Sequence, residues 1–282
     1  MSSLAVGATI VLYDGNPFYP DVGALWKMAQ NENITIFGTS AGYIHALQQS
    51  GERPGWKYNL SNLKTVLSTG SPLSSEGFEF VYRNVGQDLL LASIAGGTDI
   101  NGCFFLGTPT LPVYASELQC RGLGMKVEAF DEEGSAVRNK QGELVCTAPA
   151  PSMPIYFWND ASGEKYRKAY FDVYSGIWRH GDYITINDRG SAVMYGRSDA
   201  TLNPGGVRMG TAEIYRQMEQ LEEVEDSVVV GQKWKDDVRV VLFVKMREGV
   251  TLTDEVKNKI KMTIRKNLSP RHMPAKILAV PE

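Results

Sequence analysis

The chain has 282 residues, with 29 basic and 32 acidic side chains and a formal net charge of −3. This balance excludes nucleic-acid binding driven by strong positive charge alone. With 43% hydrophobic and 22% charged residues the composition is that of a globular protein, which excludes the disordered and collagen-like classes. No apolar stretch approaches the roughly 20 residues of a membrane helix, and the first residues lack a secretory signal pattern, so we expect a cytoplasmic protein.

Cysteine and histidine spacing argues against a metal centre. Cys103, Cys120 and Cys146 are widely spaced and form no C-x-x-C motif, and the three histidines fit no HExxH pattern. We therefore expect buried thiols, with neither a disulfide framework nor a zinc site.

Short β-branched runs alternate with helical patterns in the first hundred residues. The predicted strands cover 8–15, 34–40, 64–70 and 89–97, and the predicted helices cover 21–33 and 74–85. This alternation predicts a mainly parallel sheet covered by helices. From about residue 100 to 197, short strands separated by glycine-rich turns predict an antiparallel subdomain.

A compact mixed unit follows Gly196. Helical patterns at 211–224 and 253–268 enclose strand-like runs at 226–232 and 237–246, and a last run lies at 275–281. We therefore predict an α/β protein of mixed α+β character, with a large domain over 1–197, a small domain over 198–282 and a hinge near Asp199.

Two glycine-containing turns follow predicted strands. In the first, Ser68–Leu73, a strand, a turn and a helix follow one another, which suits nucleotide binding at the carboxyl edge of a sheet but also fits an ordinary capped turn. In the second, Ser93–Asp99, glycines permit close backbone approach, Thr98 can donate to a phosphate oxygen and Asp99 can bind Mg²⁺, while a turn without a ligand stays open.

Two further motifs follow in the second half of the chain. Trp178–Asp182 places a carboxylate on a tight glycine turn, where Asp182 can accept from vicinal ribose hydroxyls or cap a hairpin. Gly196–Ile214 combines Arg197 and Arg208 with a Pro-Gly-Gly loop and a helix start. Guanidinium groups recognise phosphate and ribose oxygens in a bidentate manner, and such a loop can change conformation between states.

These four motifs, in this order and spacing, resemble the second half of the adenylate-forming acyl-CoA ligases of the acetyl-CoA synthetase type. The resemblance covers essentially the whole chain, and strings such as TVLSTGSPL, GIWRHGDY and GRSDATLNPGGVR are nearest to the members that act on acetoacetate. It implies ATP-dependent ligation of acetoacetate to coenzyme A through acetoacetyl-AMP, with Mg²⁺ as cofactor and no nucleic-acid or membrane partner. Ligation of another short or medium acyl acid, or a catalytically silent nucleotide-binding module, remains open.

The resemblance also implies roles for individual residues. The adenine pocket would be lined by Gly70, Ser71 and Pro72; the phosphate and acyl group would be held by Ser93, Ile94, Ala95, Gly96, Gly97 and Thr98; the ribose would be bound by Asp182 and Arg197. Arg208 would lie near the phosphates and, with Thr98 and Asp99, forms the candidate catalytic set. Asp99, the candidate Mg²⁺ ligand, stands where the family usually has glutamate.

Other positions carry weaker implications. Gly205 and Arg265 match positions that touch coenzyme A in acetyl-specific relatives, although Gly205 replaces a serine there. Gly96 replaces a tryptophan that closes the acyl pocket in those relatives, which implies a pocket enlarged for acetoacetate. The alternative is that the backbone itself requires glycine at this position.

The resemblance leaves two family elements without a counterpart. No Ser/Thr/Gly-rich phosphate loop precedes Ala8, and the family's C-terminal lysine would lie beyond Pro281. We therefore expect a partial large domain and an incomplete small domain, and a 282-residue chain that by itself forms no acyl-CoA.

Overall fold

The first sheet of the protein is parallel and lies under helices. The computed structural model describes residues 2–198, 202, 209–234 and 237–281. The first elements are α1 (Ser2–Ala5), α2 (Ala24–Asn31), β1 (Ile36–Ser40), α3 (Ala41–Ser50), α4 (Pro54–Lys57), β2 (Thr65–Thr69), α5 (Ser75–Asn84) and β3 (Leu90–Ser93). The three strands pair in parallel in the order β1-β2-β3. The predicted parallel sheet is therefore confirmed.

A buried apolar cluster joins this sheet to its helices. Trp26 of α2 stacks on Phe37 of β1 with ring centroids 4.4 Å apart, and Ile44 of α3 and Val66 of β2 are fully buried in the same cluster. Burial of such side chains stabilises the sheet by about 1.5–3 kcal/mol each. Ser74 begins α5 by accepting a hydrogen bond from the Gly77 amide.

Two of the strand predictions are wrong in detail. Residues 8–15 form no strand, and Leu12 is 86% exposed, because no strand in the described part of the chain lies beside them to satisfy their backbone groups. The run 89–97 is divided at Ile94, whose amide donates to Ser68 O. This is the last backbone bond to β2, and the residues after Ile94 pair antiparallel with β5.

The middle of the chain is antiparallel, as predicted. Its elements are β4 (Ala95–Gly97), β5 (Gly102–Leu106), β6 (Cys120–Arg121), β7 (Val127–Phe130), β8 (Ala136–Val137), β9 (Gln141–Cys146), α6 (Glu164–Tyr170), β10 (Trp178–Ile186) and β11 (Ala192–Arg197). They form sheets ordered β4-β5-β6 and β11-β10-β9-β7-β8. A second apolar cluster, which includes Phe104, Leu144 and Trp178, lies between them.

The last part of the chain forms a third unit with its own core. It contains α7 (Thr211–Met218), β12 (Val224–Trp234), β13 (Asp237–Met246), α8 (Asp254–Asn267), a short 3₁₀ turn (Pro270–His272) and β14 (Lys276–Val280). Strand β13 pairs antiparallel to β12 and parallel to β14. The α8 residues Ile260 and Ile264 pack under this sheet. The mixed α/β fold class is confirmed.

Contacts between the third unit and β11 are close. Arg216 of α7 donates from Nη2 to Met194 O at 3.1 Å, and α7 packs against β11. The predicted hinge residue Asp199 lies outside the described residues, so the boundary between the two domains stays a prediction. No helix in the described segments is long and apolar enough to span a membrane.

Candidate functional site

Five separate segments of the chain line one cavity of about 280 Å³. The cavity opens where β2 and β3 end, because the carboxyl ends of parallel strands share one edge of a sheet. Nine of the predicted site residues line it: Gly70, Ser71, Pro72, Ser93, Ile94, Ala95, Gly96, Asp182 and Arg197.

The first wall consists of the turns after β2 and β3. Thr69 Oγ1 donates to Ile94 O at 3.3 Å, and Ile94 N donates to Ser68 O at 2.9 Å. These bonds join the two turns that sequence reasoning treats as separate motifs. Backbone groups of both turns therefore lie at the rim of one cavity.

The opposite wall comes from a bulge in β10. Arg179 pairs with Val145 of β9 and Tyr183 pairs with Glu143, so residues 180–182 face the single residue 144. Gly181 has φ +84°, a conformation that residues with a Cβ rarely adopt. A bulge of this kind redirects side chains, and here it brings His180 and Asp182 to the cavity.

Arg197 lies across from Asp182 on β11. The two residues are register partners, their Nη1 and Oδ1 atoms are 3.7 Å apart, and Arg197 Nη1 also donates to His180 O at 3.0 Å. The Asp182 side chain is 16% exposed, whereas that of Arg197 is 51% exposed. A carboxylate and a guanidinium thus share one side of the cavity, where they suit hydroxyl and phosphate oxygens respectively.

His180 is a buried imidazole at the centre of this wall. Its ring packs edge-on to Phe104, and Nε2 lies 3.6 Å from Asp182 Oδ2. Burial lowers the pKa of His180, and Arg197 lowers it further while Asp99 opposes the change. The ring is therefore neutral at physiological pH.

Asp99 lies in the turn that follows β4, next to the cavity. Its Oδ2 accepts a 2.8 Å hydrogen bond from the Tyr170 hydroxyl and its Oδ1 accepts from the Ile100 amide. Within the described ranges no three acidic, histidine or cysteine side chains cluster as a metal site. One exposed carboxylate beside a cavity does fit Mg²⁺, which proteins often bind through one or two carboxylates plus substrate phosphates.

Gly96 lines the cavity and also touches β5. A Cβ added to Gly96 would lie 2.0 Å from Gly102 O and 2.9 Å from the Cys103 Cα, which are backbone atoms. The geometry therefore favours the interpretation that the backbone itself requires glycine here. Gly97 and Thr98 complete the turn to Asp99, and Thr98 O accepts from the Asn101 amide.

One predicted residue within the described ranges, Arg265, lies apart from this cavity. Arg265 lines a separate cavity of about 540 Å³ on α8, together with Lys261, Met262 and Met273. The positions of Asp199, Gly205 and Arg208 lie outside the described residues.

The structure adds lining residues that sequence reasoning missed. Ser116, Leu118, His180 and Met194 all line the cavity. Ser116 and Leu118 come from a loop without a motif, so the sequence carries no signal for them. For Met194 the sequence did carry a signal: apolar and polar residues alternate along β11, and this alternation predicts that the Met194 side chain is buried, as it is.

A family comparison agrees with this geometry. The model of the family described as "AMP-binding enzyme" matches residues 1–157, more than half of the chain. The chain belongs to this family. The cavity residues of the first two turns, 69–73 and 93–96, lie within the range that the family model matches.

Individual relatives are similar along the whole chain. An acetoacetyl-coenzyme A synthetase of Rhizobium meliloti is 55% identical over 279 residues, and an acetoacetyl-CoA synthetase of Mus musculus is 50% identical over 280 residues. Each alignment covers 99% of this chain, which spans 43% and 42% of the length of the two relatives.

A solved structure extends the similarity to the fold. Acetoacetyl-CoA synthetase from Streptomyces lividans superposes with a TM-score of 0.91 at 46% identity, covering 100% of this chain and 43% of that one. The three units described above therefore have the arrangement of an adenylate-forming enzyme.

Proposed function

We propose that this chain forms the nucleotide- and acyl-binding part of an ATP-dependent ligase that joins acetoacetate to coenzyme A. Acetoacetate would react with ATP to give acetoacetyl-AMP and pyrophosphate, and the coenzyme A thiol would then give acetoacetyl-CoA and AMP. The observation that carries the proposal is the meeting of four motif segments around one cavity. The similarity to acetoacetyl-CoA synthetases over 99% of the chain supports the choice of acid.

Each residue role follows from its chemistry. Backbone groups at Gly70, Ser71 and Pro72 would face adenine, and Asp182 would accept from the ribose hydroxyls with Arg197 beside it. The β4 turn from Ser93 to Thr98 would face the α-phosphate and the acyl group. Both steps depend mainly on positioning and charge stabilisation, since the protein forms no covalent intermediate.

The remaining roles complete the proposal. Asp99 would hold Mg²⁺, which when bound would offset the charge of the phosphates. Arg208 would face the α-phosphate, Arg265 and Gly205 would contact coenzyme A, and Asp199 would act as the hinge between adenylation and thioester formation. The cytoplasmic location expected from the sequence belongs to the same proposal.

A segment-exchange experiment tests the proposed activity. The matching segment of the Rhizobium meliloti relative is replaced by this chain, and pyrophosphate release is measured with acetoacetate, acetate, propionate and butyrate. Acetoacetate is expected to give the highest kcat/KM, and the same chimera with Asp182→Ala serves as the control for the cavity.

Other outcomes would replace the proposal. Preference for a different acid would make the chain part of another acyl-CoA ligase. Nucleotide binding without use of any acid would indicate a silent module. The 282-residue chain assayed alone is expected to release no pyrophosphate.

A further inference from the structure

A buried carboxylate lies directly behind the β10 bulge. The Glu143 side chain is 9% exposed, and Oε1 accepts a 2.8 Å hydrogen bond from Ser198 Oγ and lies 3.3 Å from Arg179 Nε. Arg179 Nη2 reaches Glu143 Oε2 at 3.5 Å and Ser198 Oγ at 3.2 Å. The three side chains come from β9, β10 and the residue after β11, so one cluster ties together three neighbouring strands.

The position of this cluster explains why it is charged. The bulge removes ladder pairs between β9 and β10 at residues 180–182, and Glu143 is the first residue of β9 to pair again beyond it. An apolar side chain at 143 would remove the carboxylate that pairs with Arg179 and accepts from Ser198. Buried ion pairs contribute little net stability but can specify one arrangement of a structure.

The same cluster fixes the strand end that carries Arg197. Ser198 N donates to Gly181 O at 2.8 Å, and Arg197 donates to the adjacent His180 O. The Glu143 carboxylate therefore holds Ser198, Ser198 holds the Gly181 peptide, and that peptide precedes Asp182. Displacing the carboxylate would let both Asp182 and Arg197 move away from their present orientation.

We infer that Glu143 is a positioning residue for Asp182 and Arg197. It does not line the cavity, and it acts by holding Arg179 and Ser198 beneath the bulge. Its effect on ligand binding rests on the proposed function, in which Asp182 accepts from both ribose hydroxyls. Positioning of this kind determines whether a carboxylate can bind two hydroxyls at once.

The test compares Glu143→Gln with Glu128→Gln in the full 282-residue chain. Glu128 on β7 is a matched control because its carboxylate, 22% exposed, also pairs with arginine, namely with Arg121 and Arg138. Equilibrium binding is measured for AMP and for 2′,3′-dideoxy-AMP, which lacks both ribose hydroxyls. The ratio of the two affinities is the readout, because it does not depend on the fraction of folded protein.

In the unsubstituted chain AMP is expected to bind at least about tenfold more tightly than the dideoxy analogue, because the analogue loses both hydroxyl contacts to Asp182. Glu143→Gln should reduce this preference to about twofold or less, and Glu128→Gln should leave it unchanged. An unchanged ratio in Glu143→Gln would overturn the inference. Ser198→Ala is a smaller change in the same cluster and should also reduce the preference for AMP over the dideoxy analogue. This variant replaces Glu143→Gln in the test if Glu143→Gln does not fold.

A ligand-free readout separates this inference from the proposed function. In ¹H-¹⁵N spectra without nucleotide, the Gly181, Asp182 and Ser198 amide signals should shift in Glu143→Gln and remain in place in Glu128→Gln. Stationary signals would overturn the positioning role even if nucleotide binds. Shifted signals in a chain that binds no AMP would support the positioning role and overturn the proposed function instead.

Discussion

The Tyr170 hydroxyl donates a 2.8 Å hydrogen bond to Asp99 Oδ2 while its ring stacks on Trp178 at 3.5 Å between centroids. This pair connects α6 to the turn after β4, which are 71 residues apart in the chain. Burial raises the pKa of Tyr170, and the hydrogen bond to Asp99 raises it further. The phenol therefore remains a donor at neutral and mildly alkaline pH, and it restrains the carboxylate proposed to hold Mg²⁺.

Tyr170→Phe should weaken the Mg²⁺-dependent part of ATP binding. The ring and its stacking on Trp178 are kept, but Asp99 loses the donor that orients it. Removing such a supporting hydrogen bond costs about tenfold in metal affinity. ATP binding is measured with and without Mg²⁺, with Tyr166→Phe as the control because the Tyr166 hydroxyl donates to Pro154 O instead. Equal losses in the two variants would contradict the assignment.

Gly96→Ala should destabilise the fold. The new Cβ would meet the Gly102 carbonyl oxygen at 2.0 Å, so β4 and β5 would have to separate. Overpacking of this kind costs about 1–3 kcal/mol in the free energy of unfolding. Denaturant unfolding measures it against Gly38→Ala, where no atom lies within 4 Å of the added Cβ. An unaffected Gly96→Ala protein would restore the interpretation that this glycine enlarges the acyl pocket.

The sequence was sufficient to predict four of the five segments that line the cavity. Glycine-containing turns after strand-like runs identify Gly70 and Gly96, and the WRHGD string identifies Asp182, because each depends on local order along the chain. The meeting of the first two turns follows from parallel strands that end at one edge, whereas Asp182 is brought there by the bulge in the antiparallel strand β10. Local patterns also predicted the antiparallel middle region and the mixed final unit.

Features that depend on pairing between distant segments were not predictable. The split at Ile94 arises because the residues that follow pair with β5 instead of β2, and the exposed state of residues 8–15 reflects the lack of a neighbouring strand among the described residues. From the sequence alone, Glu143 is predicted to be an ordinary solvent-facing polar residue of a strand. Its burial becomes evident only when the β10 bulge shows which groups lie behind it.

Two substitutions in the segment-exchange chimera should separate binding from catalysis. Arg208→Ala should lower kcat for thioester formation by about a hundredfold, since it removes a charge-stabilising donor at the reacting phosphate. Asp182→Ala should mainly raise KM for ATP, because ribose contacts are made equally in the ground and transition states. Steady-state kinetics with varied ATP measures both. If a folded Arg208→Ala protein kept the same kcat and KM, the proposal that Arg208 stabilises charge at the α-phosphate would be wrong.

Glu219, just after α7, should make the stability depend on pH. Burial raises its pKa to about 7; Arg216 opposes this change, whereas Glu76 on α5 and Asp226 on β12 reinforce it. Gln49 of α3 donates to the Glu219 backbone carbonyl, so this carboxyl group lies where the third unit meets the first. A carboxyl group with a raised pKa favours folding while protonated, and that contribution is lost as pH rises from about 4.5 through about 7.

Glu219→Gln should therefore stabilise the protein above about pH 7 by about 1–3 kcal/mol and flatten the pH dependence of unfolding below it. Glu222→Gln is the matched control, because that side chain is exposed three residues further along the chain. Chemical unfolding at a series of pH values from about 5 to about 8 measures both variants against the unsubstituted chain. The same pH profile in Glu219→Gln as in the unsubstituted chain would show that this carboxylate reaches water in the folded state. The contact between α3 and the end of α7 would then carry no proton-linked free energy.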